Sequence, residues 1–200
     1  MGYDQRNSLN RNKVTNSEER LQGASRRTRS GAGRIVKLIA PRTHMPLTFS
    51  YGSNMDVAGM TARCPRSRPL GVARLARHRL AIMREGWLTV VRDSAATVHG
   101  VLWDIALADM PALDRYEGLG EGLYAKALQS VATGNGARRA LVYFGANAGP
   151  GVARADYLDT VVAAARHWGL PATTLAALAE FKRAARAPSY VDGPDWQGVF

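Results

Sequence analysis

The sequence is poor in the residues that build disulfide frameworks and metal sites. It has one cysteine, Cys64, and four histidines among 200 residues. A disulfide framework is excluded because a single cysteine has no partner within the chain. The histidines lie far apart and form neither an H-x-x-x-H nor an H-E-x-x-H pattern, at His44, His78, His99 and His167. We therefore expect no metal site and a cytoplasmic protein.

Long apolar runs are also missing. No segment approaches the roughly 18 to 20 apolar residues of a membrane span, and residues 1–30 lack the apolar stretch of a secretory signal. We expect no membrane association and no secretion. The remaining composition, 46% hydrophobic and 22% charged, is typical of a globular domain that buries a core without covalent staples.

Acidic residues are scarce relative to basic ones, and the net charge is +11. Residues 1–45 hold ten Lys or Arg against three Asp or Glu, a net charge of +7, whereas residues 46–200 hold seventeen against thirteen, a net charge of +4. Residues 1–45 also have few large apolar side chains, which predicts a disordered basic tail. Nucleic-acid binding by this tail is less favoured than a solvated tail or a true start at Met45.

The rest of the chain predicts short strands and a few helices. Strands are predicted at residues 47–51, 70–75, 80–83, 87–91, 98–105, 124–131 and 139–144. Helices are predicted from about Met55 to Ala62 and at residues 109–116, with Asp109 as N-cap, 156–168 and 172–185. Hairpin-connected strands with few helices predict an α+β fold with a small curled sheet or barrel. We assign residues 46–186 to this domain and residues 187–200 to an irregular tail.

Two segments point to chemistry. In the first, Phe49-Ser50-Tyr51-Gly52-Ser53-Asn54, a strand ends in a turn of small residues whose N–H groups suit a carboxylate. In the second, Leu113-Asp114-Arg115-Tyr116-Glu117-Gly118, a carboxyl group stands at the C-terminal end of a helix. The helix dipole there is expected to raise the pKa of Glu117 toward the range useful for proton transfer. Taken alone, the turn is also compatible with a structural role and Glu117 with a solvated helix end.

Three other motifs give weaker evidence of a functional site. Ser53 lies in a strand-to-helix turn but lacks the G-x-S-x-G pattern of a nucleophile. Cys64 has several arginines nearby, which would favour a reactive thiolate, but an isolated cysteine after an apolar helix is more often buried and structural. The glycines of residues 118–122 follow a helix and not a strand, which predicts a loop and not a dinucleotide site.

The two candidate segments, in this order and spacing, resemble the gamma-glutamyl cyclotransferase family. The resemblance extends from about Leu47 to Phe181 and includes Tyr51-Gly52-Ser53-Asn54-Met55, Val72-Ala73-Arg74-Leu75, Gly86 with Thr89, Val98-His99-Gly100-Val101-Leu102-Trp103, Leu113-Asp114-Arg115-Tyr116-Glu117-Gly118, Tyr124, the strand with Tyr143, and Tyr157. It implies a small β-barrel, flanked by helices, in which a gamma-glutamyl group cyclises to 5-oxoproline and releases its amine partner.

The resemblance also implies roles for individual residues. Glu117 looks like the catalytic glutamate of that family, which would shuttle a proton from the attacking amine to the departing one, so that no cofactor is needed. The implied substrate-binding residues are Phe49, Ser50, Tyr51, Gly52, Ser53, Asn54, Tyr124 and Tyr157. Glutathione-specific relatives tend to carry a Gly-Ser-Leu turn, and Asn54 departs from it, so glutathione is the less favoured substrate. A non-catalytic metabolite-binding protein of the same fold and a cyclotransferase for a specialised gamma-glutamyl amine are the alternatives. The sequence does not indicate an oligomeric state.

Overall fold

A computed structural model describes residues 46–186, and both predicted tails, 1–45 and 187–200, lie outside the described residues. Within residues 46–186, the strands are β1 Leu47–Ser50, β2 Arg68–Ile82, β3 Leu88–Asp104, β4 Tyr124–Thr133 and β5 Gly136–Gly145. The helices are α1 Val57–Arg63, α2 Met110–Tyr116, α3 Ala155–His167 and α4 Ala172–Arg186, with short 3-10 turns at Ser53–Met55 and Leu119–Glu121. None of the helices in this part of the chain is long and apolar enough to cross a membrane.

The five strands of the described domain close into a barrel in the order β1-β3-β2-β4-β5. β1 pairs in parallel with β5, which closes the barrel, and all the other pairings are antiparallel. Closure satisfies strand edges that would otherwise be exposed. The α+β class and the small, mostly antiparallel barrel flanked by helices are therefore confirmed.

The prediction of four short strands between residues 70 and 105 is wrong. Those segments are parts of β2 and β3, which pair as one long hairpin. The register shifts between Pro69 and Gly71 and again between Ala76 and His78, and Arg77 between them has a φ of 62°. Such bulges interrupt the apolar alternation of a strand without ending it. From the sequence alone, these interruptions are indistinguishable from turns.

The core of the barrel fixes the turn that follows β1. Trp103 of β3 is 1% exposed and lies at the centre of the packed interior. β1 approaches β3 closely at Gly100, where a Cβ atom would lie 2.1 Å from the carbonyl oxygen of Ser50. From the other side, the indole Nε1 of Trp168, at the end of α3, donates a hydrogen bond to the carbonyl of Met55 at 2.8 Å. The turn after β1 is thus held between the sheet and the C-terminal helices.

The two acidic N-cap positions differ in what their side chains do. Asp56 caps α1, because its carboxylate accepts a hydrogen bond from the Gly59 N–H at 2.7 Å. Asp109 is the N-cap residue of α2, as predicted, but its side chain makes no capping hydrogen bond to this helix. It accepts hydrogen bonds from the Arg66 N–H at 2.8 Å and the Ser67 hydroxyl at 2.7 Å. Asp109 therefore joins the segment after α1 to the start of α2.

Candidate active site

One end of the barrel opens into a cavity of about 180 Å³. Its wall brings together all nine residues that the sequence marked as catalytic or substrate-binding, namely Phe49, Ser50, Tyr51, Gly52, Ser53, Asn54, Glu117, Tyr124 and Tyr157. Five residues that the sequence analysis did not mark also line it: Trp87, Leu88, Tyr116, Leu123 and Tyr143. Half of the lining residues are therefore aromatic, and one carries a carboxyl group.

The topology explains why residues so far apart in the sequence meet here. β1 and β5 run in parallel, so the turn after β1 lies beside the end of β5, where Tyr143 stands. Tyr124 is the first residue of β4, which is antiparallel to β5 and therefore starts at the same end of the barrel. Helix α2 ends at this opening and delivers Glu117, and Tyr157 comes from the first turn of α3.

Glu117 is the C-cap residue of α2 and faces the cavity. Burial raises the pKa of its carboxyl group from 4.5 to about 7, and the nearby Asp114 adds to the increase. The Arg63 guanidinium and a hydrogen bond from Asn54 oppose it. The predicted direction of the pKa change is confirmed, but its main cause is burial and not the helix dipole. A carboxyl group with this pKa is partly protonated at neutral pH.

A short hydrogen-bonded chain leads from α1 to Glu117. Arg63 Nη1 donates to Asn54 Oδ1 at 2.5 Å, and Asn54 Nδ2 donates to Glu117 Oε1 at 2.5 Å. The Arg63 guanidinium also stacks on the Tyr116 ring, 3.3 Å from its centroid, and the Tyr116 hydroxyl lies 3.1 Å from Ser53 Oγ. Neither Arg63 nor Tyr116 is among the site residues predicted from the sequence. Tyr116 could have been predicted because it directly precedes Glu117 in the sequence. No sequence spacing relates Arg63 to Glu117.

Buried tyrosines form most of the remaining wall. The Tyr51 hydroxyl donates to the carbonyl of Tyr143 at 2.5 Å, and the Tyr124 hydroxyl donates to the carbonyl of Leu88 at 2.7 Å. The Tyr157 hydroxyl accepts from the Leu88 N–H at 3.4 Å. Burial raises the pKa of four of the phenols lining this wall, those of Tyr51, Tyr124, Tyr143 and Tyr157. They are therefore neutral at physiological pH and contribute hydroxyl groups, not charge.

Gly52 and Trp87 determine where the Tyr157 ring lies. A Cβ atom on Gly52 would stand 2.8 Å from the Tyr157 hydroxyl oxygen, so this close approach requires glycine. The Tyr157 ring packs edge-on against Trp87, with centroids 5.0 Å apart and an interplanar angle of 83°. The hydroxyl of Tyr157 is therefore held directly above the turn after β1.

A second carboxylate close to Glu117 is already paired. Asp114 accepts a hydrogen bond from the Tyr143 hydroxyl at 2.6 Å and forms an ion pair with Lys126 at 2.6 Å. It is not among the residues that line the cavity. Glu117 is therefore the carboxyl group in position to exchange protons with a bound molecule.

The remaining motifs of the sequence contribute little to the cavity. Cys64 is 1% exposed, and burial together with the Asp109 carboxylate raises the pKa of its thiol, so the structural interpretation is confirmed. Glu121, in the glycine-rich loop, is exposed and does not line the cavity. Residues 46–186 contain no group of three or more His, Cys, Asp or Glu side chains placed to hold a metal ion.

Comparison with known proteins agrees with this architecture. Residues 97–178 match the model of the AIG2-like family. A search of the curated proteins found no match to the chain. Nineteen chains among the solved structures match it.

Three of these structures illustrate the similarity. One described as a gamma-glutamyl cyclotransferase has a TM-score of 0.62 and 23% identity, with 76% of this chain and 91% of the other covered. A Homo sapiens protein, loc79017, has a TM-score of 0.62 and 24% identity over the same fractions. YkqA from Bacillus subtilis has a TM-score of 0.60 and 21% identity, with 69% of this chain and 54% of YkqA covered. Residues 97–178 are thus similar in sequence to the AIG2-like family, and the domain shares its fold with a structure described as a gamma-glutamyl cyclotransferase.

Proposed function

We propose that this protein cyclises a gamma-glutamyl amino acid or amine to 5-oxoproline and releases the amine partner. The observation that carries the proposal is Glu117, a partly buried carboxyl group with a pKa of about 7 on the wall of a small cavity. A group whose pKa lies near the working pH both accepts and returns a proton readily. This reaction requires both transfers.

The reaction proceeds without any reagent beyond the substrate. The α-amine of the glutamyl group gives a proton to Glu117, and its nitrogen attacks the γ-carbonyl carbon of the same molecule, forming the C–N bond of a five-membered ring. The bond from the γ-carbon to the amine partner then breaks, and the departing amine takes the proton back from Glu117. No water, oxidant or cofactor is consumed.

Because the attack is intramolecular, the main task of the protein is to hold the glutamyl chain folded back on itself. None of the fourteen residues that line the cavity is a lysine or arginine. The α-carboxylate of the substrate must therefore be held by N–H and O–H groups. We assign this task to the backbone of the Gly52-Ser53-Asn54 turn and the Tyr157 hydroxyl above it. The same turn is the source of N–H donors for the developing charge on the γ-carbonyl oxygen.

The aromatic side chains of the wall support a water-poor reaction site. Five of its aromatic rings carry a hydroxyl group, from Tyr51, Tyr116, Tyr124, Tyr143 and Tyr157. Apolar ring faces exclude water while the hydroxyl groups orient a polar ligand, which strengthens each hydrogen bond in the site.

The proposal is tested by measuring 5-oxoproline released from gamma-glutamyl amino acids, gamma-glutamyl amines and glutathione. Glu117→Gln is expected to lower turnover by roughly 10²- to 10⁴-fold, the usual contribution of one acid-base group. Glu121→Gln, the same change at an exposed position four residues away, is the matched control and is expected to retain the wild-type rate.

Two outcomes contradict the proposal. If a gamma-glutamyl compound binds by calorimetry but none releases 5-oxoproline, the protein is a binding module of the same fold. If Glu117→Gln keeps more than about a tenth of the wild-type rate, Glu117 is not the proton shuttle.

A further inference from the structure

Arg63 is a polar residue near the cavity that the proposed reaction does not use. Its side chain is partly buried, and it lies at the end of α1, one residue before the core residue Cys64. It makes no ion pair within 4.0 Å with a carboxylate of residues 46–186. Its guanidinium contacts instead an amide oxygen and an aromatic ring of the active site.

We propose that Arg63 is a positioning residue that acts through Asn54 to orient and ionise Glu117. The proposal rests on the function proposed above, because it explains how the proton shuttle of that reaction is held. It extends that function to a residue outside the cavity wall.

The donor and acceptor groups of Arg63, Asn54 and Glu117 allow their hydrogen bonds to run in one direction only. Arginine has only donors, so the Asn54 atom that faces Arg63 must be the amide oxygen. The Asn54 amide nitrogen then points the other way, to Glu117 Oε1. Without Arg63, rotation of the Asn54 amide by 180° would place an oxygen against the Glu117 carboxylate. Arg63 therefore selects the orientation of Asn54 that favours an ionised Glu117.

The same contacts distinguish the two oxygen atoms of Glu117. Oε1 is occupied by the Asn54 amide, whereas Oε2 has no hydrogen-bond partner within residues 46–186. The geometry assigns Oε2 as the atom that accepts the substrate proton, while Oε1 fixes the plane of the carboxylate.

A second contact explains why the position suits arginine. The flat guanidinium lies over the Tyr116 ring at 3.3 Å while Nη1 reaches Asn54 at 2.5 Å. Lysine supplies a charge but not a planar group that stacks and donates simultaneously. Tyr116 in turn hydrogen-bonds Ser53, so Arg63 also stabilises the opening of the cavity.

The charges around Glu117 define the expected pH effect. Arg63 and the Asn54 amide lower the pKa of Glu117, whereas burial and Asp114 raise it. The other titratable groups facing it are phenols on the turn after β1 and on α2, β4, β5 and α3, namely Tyr51, Tyr116, Tyr124, Tyr143 and Tyr157. Loss of Arg63 therefore raises the pKa of Glu117, by about one pH unit for the removal of one nearby opposite charge.

The experiment compares Arg63→Met, Asn54→Leu and the double variant, with Arg66→Met as the matched control. Arg66 is an exposed arginine three residues along the chain whose side chain makes no hydrogen bond or ion pair within residues 46–186. The rate against pH and the Glu117 carboxyl signal in ¹³C NMR are both followed. The NMR signal is assigned with Glu117→Gln among the six glutamates of the chain.

Each single variant is expected to lower kcat at pH 7 by about fivefold and to move the acidic limb of the profile up by about one pH unit. The double variant is expected to lose at most about twofold more than the worse single variant, because both changes break one chain. Arg66→Met is expected to match the wild type. If Arg63→Met folds poorly, Arg63→Lys, which keeps the charge, is expected to place the acidic limb between wild type and Asn54→Leu.

Three results would overturn the proposal: an Arg63→Met profile equal to that of Arg66→Met, a lower rate with no movement of the acidic limb, or fully multiplicative losses in the double variant. The NMR titration separates this proposal from the proposed function. If wild type releases no 5-oxoproline but Arg63→Met still raises the Glu117 pKa, the cyclotransferase proposal fails and the positioning of Glu117 stands.

Discussion

Replacing Glu117 by glutamine is expected to stabilise the folded protein at alkaline pH while it abolishes turnover. The folded pKa of about 7 lies above the ordinary value of 4.5, a difference equivalent to about 3 kcal/mol. Glutamine has nearly the same shape, and its amide oxygen still accepts the hydrogen bond from Asn54 that Oε1 accepts in the wild type. The variant therefore removes the cost of burying a negative charge and keeps the packing.

The sign of the effect depends on pH. Between pH 4.5 and 7 the folded wild type binds more protons at Glu117 than the unfolded chain does, so this group lowers the free energy of unfolding as the pH rises. The loss of unfolding free energy that Glu117 causes is complete above about pH 8 and absent below about pH 4. Glu117→Gln is therefore expected to match the wild type at pH 4 and to exceed it by about 3 kcal/mol at pH 8.

The assay is denaturant unfolding of wild type, Glu117→Gln and Glu121→Gln at several pH values from 4 to 8.5, with turnover measured on the same samples. The stability difference at pH 8 corresponds to about 10 °C in the thermal midpoint for a domain of this size. Glu121 is exposed, so Glu121→Gln is expected to change neither stability nor rate. A Glu117→Gln variant that is no more stable than wild type at pH 8 would refute the burial argument, whatever its turnover.

Three further predictions follow from the site and the sequence. Gly52→Ala is expected to displace the Tyr157 hydroxyl, which lies 2.8 Å from the added Cβ position, and to raise KM by roughly tenfold with little change in thermal midpoint; an unchanged KM would contradict the assigned close approach. Removal of residues 1–44 is expected to leave turnover and thermal midpoint unchanged, because their composition offers little to bury, and a midpoint lower by several degrees would place the domain boundary elsewhere. Turnover is expected to survive exhaustive chelation, since the proposed reaction needs only Glu117 and its hydrogen-bond donors, and loss of activity restored by one added metal would contradict the mechanism.

Local sequence patterns predict much of the fold. The helices from residue 155 to 186 have regular apolar spacing, and Gly136 after Asn135 marks the turn between β4 and β5, so these elements were predicted nearly to their ends. The long hairpin of β2 and β3 is not predicted, because a bulge and a turn interrupt the alternation of apolar residues in the same way. The spacing of the Tyr51 turn and Glu117 carries the resemblance to the gamma-glutamyl cyclotransferase family in the sequence alone.

The sequence by itself determined nine of the residues that line the cavity, because the turn after β1 and the end of α2 carry recognisable local patterns. Only the tertiary structure decided the state of Glu117 and its partners. The pKa of about 7 comes mainly from burial by residues distant in the chain. The hydrogen bonds from Arg63 and Asn54 connect elements whose sequence spacing follows no helix or strand repeat. Local patterns arise from the repeat of a helix or strand, whereas desolvation and directed hydrogen bonds depend on how the closed barrel brings its ends together.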